Sequence, residues 1–200
     1  MSQRVGVINY GMAGNIRSIQ KALDKAGATT SIIERSDEID KVDKLVIPGV
    51  GTFPDAMSKL GKSGLLEPLT QATMSKPTLG ICLGMQILSR VGFEFGTTGG
   101  LALFDAEVKS MLCDAAVPHM GFSKVQLQVE NDILSGLDGE EFYFMHSFEV
   151  VNYRNVLALT TYSEHEFVSA IGRSHIYGVQ FHPEKSRDAG IQLFKNFISI

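Results

Sequence analysis

Thr78-Leu-Gly-Ile-Cys-Leu-Gly-Met-Gln86 is the stretch on which the reading of the fold turns. Thr78–Ile81 is a short apolar run suited to a buried parallel strand. It leads straight into Cys82 and a helical pattern over Leu83–Ser89. A strand that passes into a helix through Gly80-Ile-Cys-Leu-Gly84 predicts a nucleophile elbow. The tight turn holds its central residue in a strained conformation, and glycine neighbours accept it without side-chain clash. The following helix aims backbone N–H groups and its positive dipole end at the sulfur, which favours thiolate. The N–H of Leu83 then stands where an oxyanion would form. The bland alternative is a buried, inert cysteine.

Upstream of the elbow, strand and helix signals alternate. Val5–Ile8 reads as a first strand, and a Gly-rich Tyr10–Asn15 loop leads to a helix with Ile16, Ile19, Leu23 and Ala26 on one face, closed by Gly27. Strands follow at Thr30–Ile33 and Lys44–Ile47, a helix start at Ser36, and helical patterns at Asp55–Leu60 and Leu65–Met74. Downstream of Gly92 the pattern turns β-rich. Strands are expected at Leu101–Phe104, Glu107–Met111, Ser123–Val129, Glu141–Met145, Phe148–Val151, Val156–Tyr162, Phe167–Ile171 and Ile176–Gln180. A last helix is expected over Ala189–Ile198. The fold class that follows is α/β: a three-layer α/β/α domain around a central mixed sheet, one domain over residues 1–200.

A second motif supplies what a nucleophilic thiol needs. Gly178-Val-Gln-Phe-His-Pro-Glu184 puts an imidazole and a carboxylate two positions apart at the end of an apolar strand. Period-two geometry turns both side chains to one side. His182 can then accept the thiol proton while Glu184 fixes its tautomer and stabilises the imidazolium. Taken singly, each would be an ordinary solvated surface residue. Pro48-Gly-Val-Gly51 follows a parallel strand, where loops build the crevice of an open α/β sheet, and Val50 could present a second oxyanion N–H. A plain strand-to-helix turn is the other reading of that loop.

Composition narrows the function classes. The chain has 200 residues, 44% hydrophobic and 20% charged, which is enough for a full core. A net charge of −4 without a basic run gives no electrostatic reason to hold nucleic acid or an anionic membrane. The two cysteines, Cys82 and Cys113, form neither a disulfide framework nor a metal-ligand pattern, so no metal and no cofactor are expected. The first residues are too quickly polar for a signal peptide, and no apolar run is long enough to span a bilayer. A reducing cytoplasm is the expected compartment.

Five segments occur in an order that resembles a known family. They are Pro-Gly-Val-Gly (48–51), Gly-Ile-Cys-Leu-Gly-Met-Gln (80–86), Pro-His-Met-Gly (118–121), Tyr-Phe-Met-His-Ser-Phe (143–148) and Gln-Phe-His-Pro-Glu-Lys-Ser (180–186). The chain resembles the class I glutamine amidotransferases, and among them the glutaminase subunits of imidazole glycerol phosphate synthase. The resemblance implies that Cys82 attacks the side-chain amide of glutamine, with His182 and Glu184 completing a triad and Val50 and Leu83 forming the oxyanion hole. It assigns Gly51, Gln86, His146, Ser147 and Phe148 to glutamine binding. It places Asn15, Met120 and Phe122 toward a (β/α)8-barrel synthase subunit, to which ammonia passes through a tunnel in a heterodimer serving L-histidine biosynthesis.

The chain departs from that pattern in four segments, of which the Asn15 loop and the Met120–Phe122 segment lie on the partner-facing side in the family. The usual Tyr-Gly-Met-Gly-Asn reads Tyr10-Gly-Met-Ala-Gly-Asn15, and the Trp-Asn that normally follows Pro-His-Met-Gly is Phe122-Ser123. Ser89-Arg-Val-Gly92 and Gly100-Leu-Ala-Leu103 replace a usual Ser-Glu-Glu and Gly-Leu-Gly-Leu. A sister group feeds ammonia to the amidination of surface-polysaccharide sugars, and it stands as the alternative to histidine biosynthesis. Two further alternatives are a regulatory subunit without catalysis and a cysteine hydrolase of another kind, although in α/β-hydrolases the acid precedes the histidine. His165 and His175 read as surface residues, His119 as an interface residue, and Cys113 as a small buried or half-buried side chain.

Overall fold

The computed structural model describes residues 3–11 and 15–200. The middle of the expected Tyr10–Asn15 loop, residues 12–14, lies outside that range. Strand and helix alternate first: β1 (Arg4–Ile8), α1 (Ile16–Ala26), β2 (Thr29–Ile33), α2 (Ser36–Ile39), β3 (Lys44–Ile47), α3 (Phe53–Lys62), α4 (Leu66–Ala72), β4 (Thr78–Ile81) and α5 (Leu83–Ile87). A β-rich stretch follows with β5 (Ser89–Gly92), β6 (Thr98–Gly99), β7 (Phe104–Ser110), β8 (His119–Lys124), β9 (Gln126–Leu127), β10 (Glu141–His146) and β11 (Phe148–Val151). Then come β12 (Val156–Tyr162), β13 (His165–Arg173), β14 (Ile176–Val179), a short 3-10 turn at Pro183–Lys185 and α6 (Arg187–Ser199).

Among the described residues, an eight-stranded sheet in the order β2-β1-β3-β4-β14-β13-β12-β9 forms the centre. Pairing is parallel from β2 to β14 and antiparallel from β14 to β9, so the sheet is mixed as expected. Side-chain alternation splits its core in two. On β3, Val46 faces one hydrophobic cluster with α1 and α6, while Leu45 and Ile47 face the other with α3 and α5. Those two clusters, one on each face of the sheet, are the three layers. Among the described residues, no helix is long and apolar enough to cross a membrane.

Local chemistry accounts for the first helix. Ile16, Ile19 and Leu23 recur at helical spacing and are buried. Gly27 closes the helix in the left-handed region at φ 105°, where a side chain would be strained. Leu23 is fully buried, so Leu23→Ala would cost about 2–5 kcal/mol of stability.

Two expectations fail together and for one reason. The helix after Cys82 stops at Ile87, with Ser89 beginning a strand, and Leu101–Phe104 is not a strand. Leu101 N donates to Ile87 O, Leu103 N to Leu88 O and Ala102 N to Ser89 O, at 2.8, 2.9 and 3.1 Å. A loop distant in sequence thus takes the carbonyls that a longer helix would have used. Gly100 permits the approach, because a Cβ there would sit 2.1 Å from Ser89 O. The expected Ser123–Val129 strand is likewise divided at Val125. Its N–H donates to Glu140 O at 3.0 Å and its carbonyl accepts from Gly139 N at 2.8 Å, which turns the chain from β8 to β9.

Candidate active site

The elbow exists, and its strain sits on the cysteine. Cys82 adopts φ 54°, ψ −113°, a conformation that a non-glycine residue holds only when its surroundings impose it. The flanking glycines serve close approach instead. A Cβ on Gly84 would lie 1.8 Å from Ile47 O, and one on Gly80 would lie 2.7 Å from Gly84 O. Gly49 meets the same turn from the end of β3, its added Cβ falling 2.6 Å from Gly84 N. Three glycines therefore let the end of β3, the end of β4 and the start of α5 converge on the sulfur. Tyr10 secures the neighbouring loop, its buried hydroxyl donating to Pro48 O at 2.8 Å.

His182 and Glu184 meet as the period-two spacing predicts. Nδ1 of His182 lies 2.9 Å from Oε1 of Glu184, and both side chains are buried. Asn15 joins them: its Nδ2 donates to the same Glu184 oxygen at 2.6 Å. Nδ2 of Asn15 is also 3.3 Å from Nδ1 of His182, but both are donors once Nδ1–H points at Glu184, so that approach is a contact and not a bond. Asn15 stands at the N-cap of α1 without capping it. Its side chain is committed to the carboxylate.

Fixing Nδ1 leaves Nε2 of His182 for the thiol. Among the described residues, Nε2 has no hydrogen-bond partner of ordinary geometry, yet His182 and Cys82 line one cavity of about 250 Å³. Burial by itself would lower the imidazole. The Cys82 sulfur and the Glu184 carboxylate outweigh it and raise the group to about 10. An imidazole–thiol pair of this kind can trade one proton within the site. Cys82 is 7% exposed, open on the cavity side.

The remaining assigned residues surround the same cavity. Val50 and Leu83 line it, and Leu83 is the first residue of α5, whose N–H has no carbonyl a turn earlier in the helix. Gly51, Gln86, His146, Ser147 and Phe148 line it as well. Met120 and Phe122 lie apart on β8, exposed at 59% and 37%. Two residues that sequence reasoning missed also belong here. Glu94 lines the cavity, and its Oε2 accepts from Phe53 N at 2.7 Å. Gln180 is fully buried and points its Nε2 at the Cys82 sulfur, 3.6 Å away. No pattern around Phe93-Glu-Phe95 marks the first. The second shares the period-two face of His182, a signal that was there to be read.

Three histidine expectations need correction. His119 is not at an interface: it is buried, stacked between Tyr162 and Phe144 at ring distances of 4.0 and 5.0 Å. His165 is half-buried with Nε2 2.9 Å from Oε1 of the buried Glu149, and His175 is half-buried with Nε2 donating to Thr73 O at 2.9 Å. Both side chains extend from strand ends or turns with polar neighbours in sequence, which concealed their partners elsewhere in the fold. Cys113 is half-buried as expected. A wider depression of about 840 Å³ lies over Leu127–Asp138, but its lining holds no cysteine, histidine or cation. Volume does not mark the chemistry here.

Residues 7–200 match the family described as glutamine amidotransferase class-I. The imidazole glycerol phosphate synthase subunit HisH of Moorella thermoacetica is 40% identical over 96% of this chain and 93% of its own length. HisH 1 of Campylobacter jejuni strain RM1221 is 37% identical over 98% of this chain and 100% of its own. HisH 2 of Pseudomonas aeruginosa is 40% identical over 97% and 98%. In fold, the chain is similar to PurLQS from Thermotoga maritima, with a TM-score of 0.80 over 100% of this chain and 99% of that one at 16% identity. It is also similar to a solved glutamine amidotransferase, with a TM-score of 0.77 over 98% and 99% at 16% identity.

Proposed function

The chain belongs to the class I glutamine amidotransferases, and we propose that it hydrolyses L-glutamine to glutamate and ammonia through Cys82, His182 and Glu184. The buried Nδ1–Oε1 contact of 2.9 Å, set against a cysteine in an elbow, carries this reading. Nε2 of His182 takes the thiol proton, and the sulfur attacks the amide carbon of bound glutamine. The N–H groups of Val50 and Leu83 hold the oxygen that becomes negative. His182 returns the proton to the leaving nitrogen, ammonia departs and a glutamyl thioester remains. Water activated by the same imidazole then releases glutamate. Glu184 orients the ring throughout, and Asn15 orients Glu184.

Substrate recognition falls to Gly51, Gln86, His146, Ser147 and Phe148, with Glu94 the carboxylate suited to the α-ammonium group. The ammonia serves imidazole glycerol phosphate formation in L-histidine biosynthesis, in the cytoplasm, through a synthase partner that we take to be a (β/α)8 barrel. The names of three full-length relatives at 37–40% identity support that assignment. We take Met120 and Phe122, both exposed on β8, as part of the docking face for that partner. The test is glutamate production from glutamine by the purified chain with that synthase partner. We expect turnover that stops in Cys82→Ala. Turnover that persists in that variant would remove Cys82 from the mechanism, and turnover with no dependence on the synthase partner would remove the pathway assignment.

A further inference from the structure

Gln180 has a role that the triad does not cover. It is fully buried, and a buried primary amide is costly unless its polar atoms are paired. Its Oε1 accepts from Gln86 Nε2 at 3.0 Å, and its Nε2 faces the Cys82 sulfur at 3.6 Å. The orientation of this amide is forced from outside. Gln86 Nε2 also donates to Phe148 O at 3.0 Å, and a backbone carbonyl can only accept. The second hydrogen of Gln86 Nε2 must then meet an oxygen, which makes the atom of Gln180 nearest the sulfur its NH2 group. His146 Nδ1 approaches the same Phe148 O at 3.0 Å, so that carbonyl is anchored from a second side.

We infer that Gln180 is a further catalytic residue of this site: its amide N–H donates to the Cys82 sulfur, stabilises it as thiolate and holds it toward His182. An N–H donor stabilises a full negative charge on sulfur far more than a neutral thiol, which accepts only weakly. Gln180 does this without bringing a charge of its own, so it lowers the cost of ionisation while leaving the imidazole as the proton carrier. Its place directly after β14 and two residues before His182 lets the segment leaving one strand deliver both the base and the donor. The relay through Gln86 also ties the sulfur to Phe148 on the substrate side of the cavity.

This inference rests on the glutaminase reading, and the experiment separates the two. The rate of Cys82 alkylation by iodoacetamide is followed against pH on the full chain, by peptide mass spectrometry that resolves Cys82 from Cys113. Glutamate production with the synthase partner is measured alongside. Gln180→Met keeps the shape and removes the donor. Its alkylation profile should move to higher pH by about one unit, a roughly tenfold loss of rate on the acid side. Its kcat should fall about tenfold, and because Met also removes the acceptor of Gln86 Nε2, the alkylation profile rather than KM reports on the sulfur contact. Should that variant fail to fold, Gln180→Glu decides: it still accepts from Gln86 but presents oxygen to the sulfur, and it should shift the profile further in the same direction. Superimposable profiles for a folded variant and the parent overturn the role of Gln180 and leave the triad standing. A parent chain whose Cys82 shows no pH-dependent alkylation, and which makes no glutamate, overturns the glutaminase reading itself.

Discussion

A methyl group at position 84 would sit 1.8 Å from the carbonyl oxygen of Ile47, deep in the turn that carries the nucleophile. Gly84→Ala must therefore push β3 away from α5. We expect it to destabilise the chain by at least about 1–3 kcal/mol, read by denaturant unfolding, with Cys82 alkylation altered in whatever protein remains folded. Asn15 makes the opposite kind of prediction. Its 2.6 Å bond to Glu184 is charge-assisted, worth about 1.5–3 kcal/mol, and lies at the partly exposed end of α1. Asn15→Ala should keep the fold and lower kcat about tenfold or more, because Glu184 loses one of the two side chains that bond it among the described residues. An Asn15→Ala enzyme with parental kcat would reduce that contact to packing.

At the scale of elements, the β8–β10 pair joins two unlike surfaces. Its register sets His119 opposite His146 and Met120 opposite Met145. The inner face carries a chain of bonds in which Ser123 Oγ lies 3.0 Å from His119 Nε2, His119 Nδ1 lies 3.3 Å from His146 Nε2, and His146 Nδ1 reaches Phe148 O. Each link is satisfied with both rings neutral. Burial lowers both imidazoles to about 4, and the contact of His146 with Phe148 O only partly opposes it. The unfolded chain binds protons at these groups near pH 6.5 while the folded chain does not. The stability they confer is thus whole above about pH 6.5 and lost as pH falls toward about 4. His119→Phe should flatten that acid limb in unfolding measured against pH. His182 acts on the other side: its pKa is raised to about 10, so its contribution is whole below about pH 6.5 and drains as pH rises toward that value. The outer face of β8 carries exposed Met120 and Phe122 ahead of Lys124, with Phe122 flanked by Arg187, 4.5 Å from its ring. Met120→Lys with Phe122→Lys should weaken binding of the synthase partner while leaving Cys82 alkylation of the free chain unchanged.

Over the whole molecule, the parts legible in the sequence are those in which one local pattern decides. Lys44–Ile47 and Thr78–Ile81 are strands at the expected bounds because each is an apolar run buried on both faces. The elbow and the His-Pro-Glu turn were legible because their chemistry is compressed into a few adjacent residues. What stayed hidden depends on contacts across long stretches of chain. Asn15 meets Glu184 across 169 positions, and Gln180 meets Cys82 across 98. The helix after Cys82 ends early because residues 101–103 occupy its terminal carbonyls, which no local propensity records. Glu94 sits between two phenylalanines and shows its relevance only when α3 delivers Phe53 N to it.

All of this depends on a covalent bond forming between glutamine and one sulfur. The chain with its synthase partner, mixed with glutamine, quenched in acid during turnover and digested, should yield the Cys82 peptide carrying a glutamyl thioester, and His182→Asn should leave that peptide unmodified. Steady glutamate release with Cys82 unmodified at every quench time, or a glutamyl group on Cys113 instead, would contradict the account.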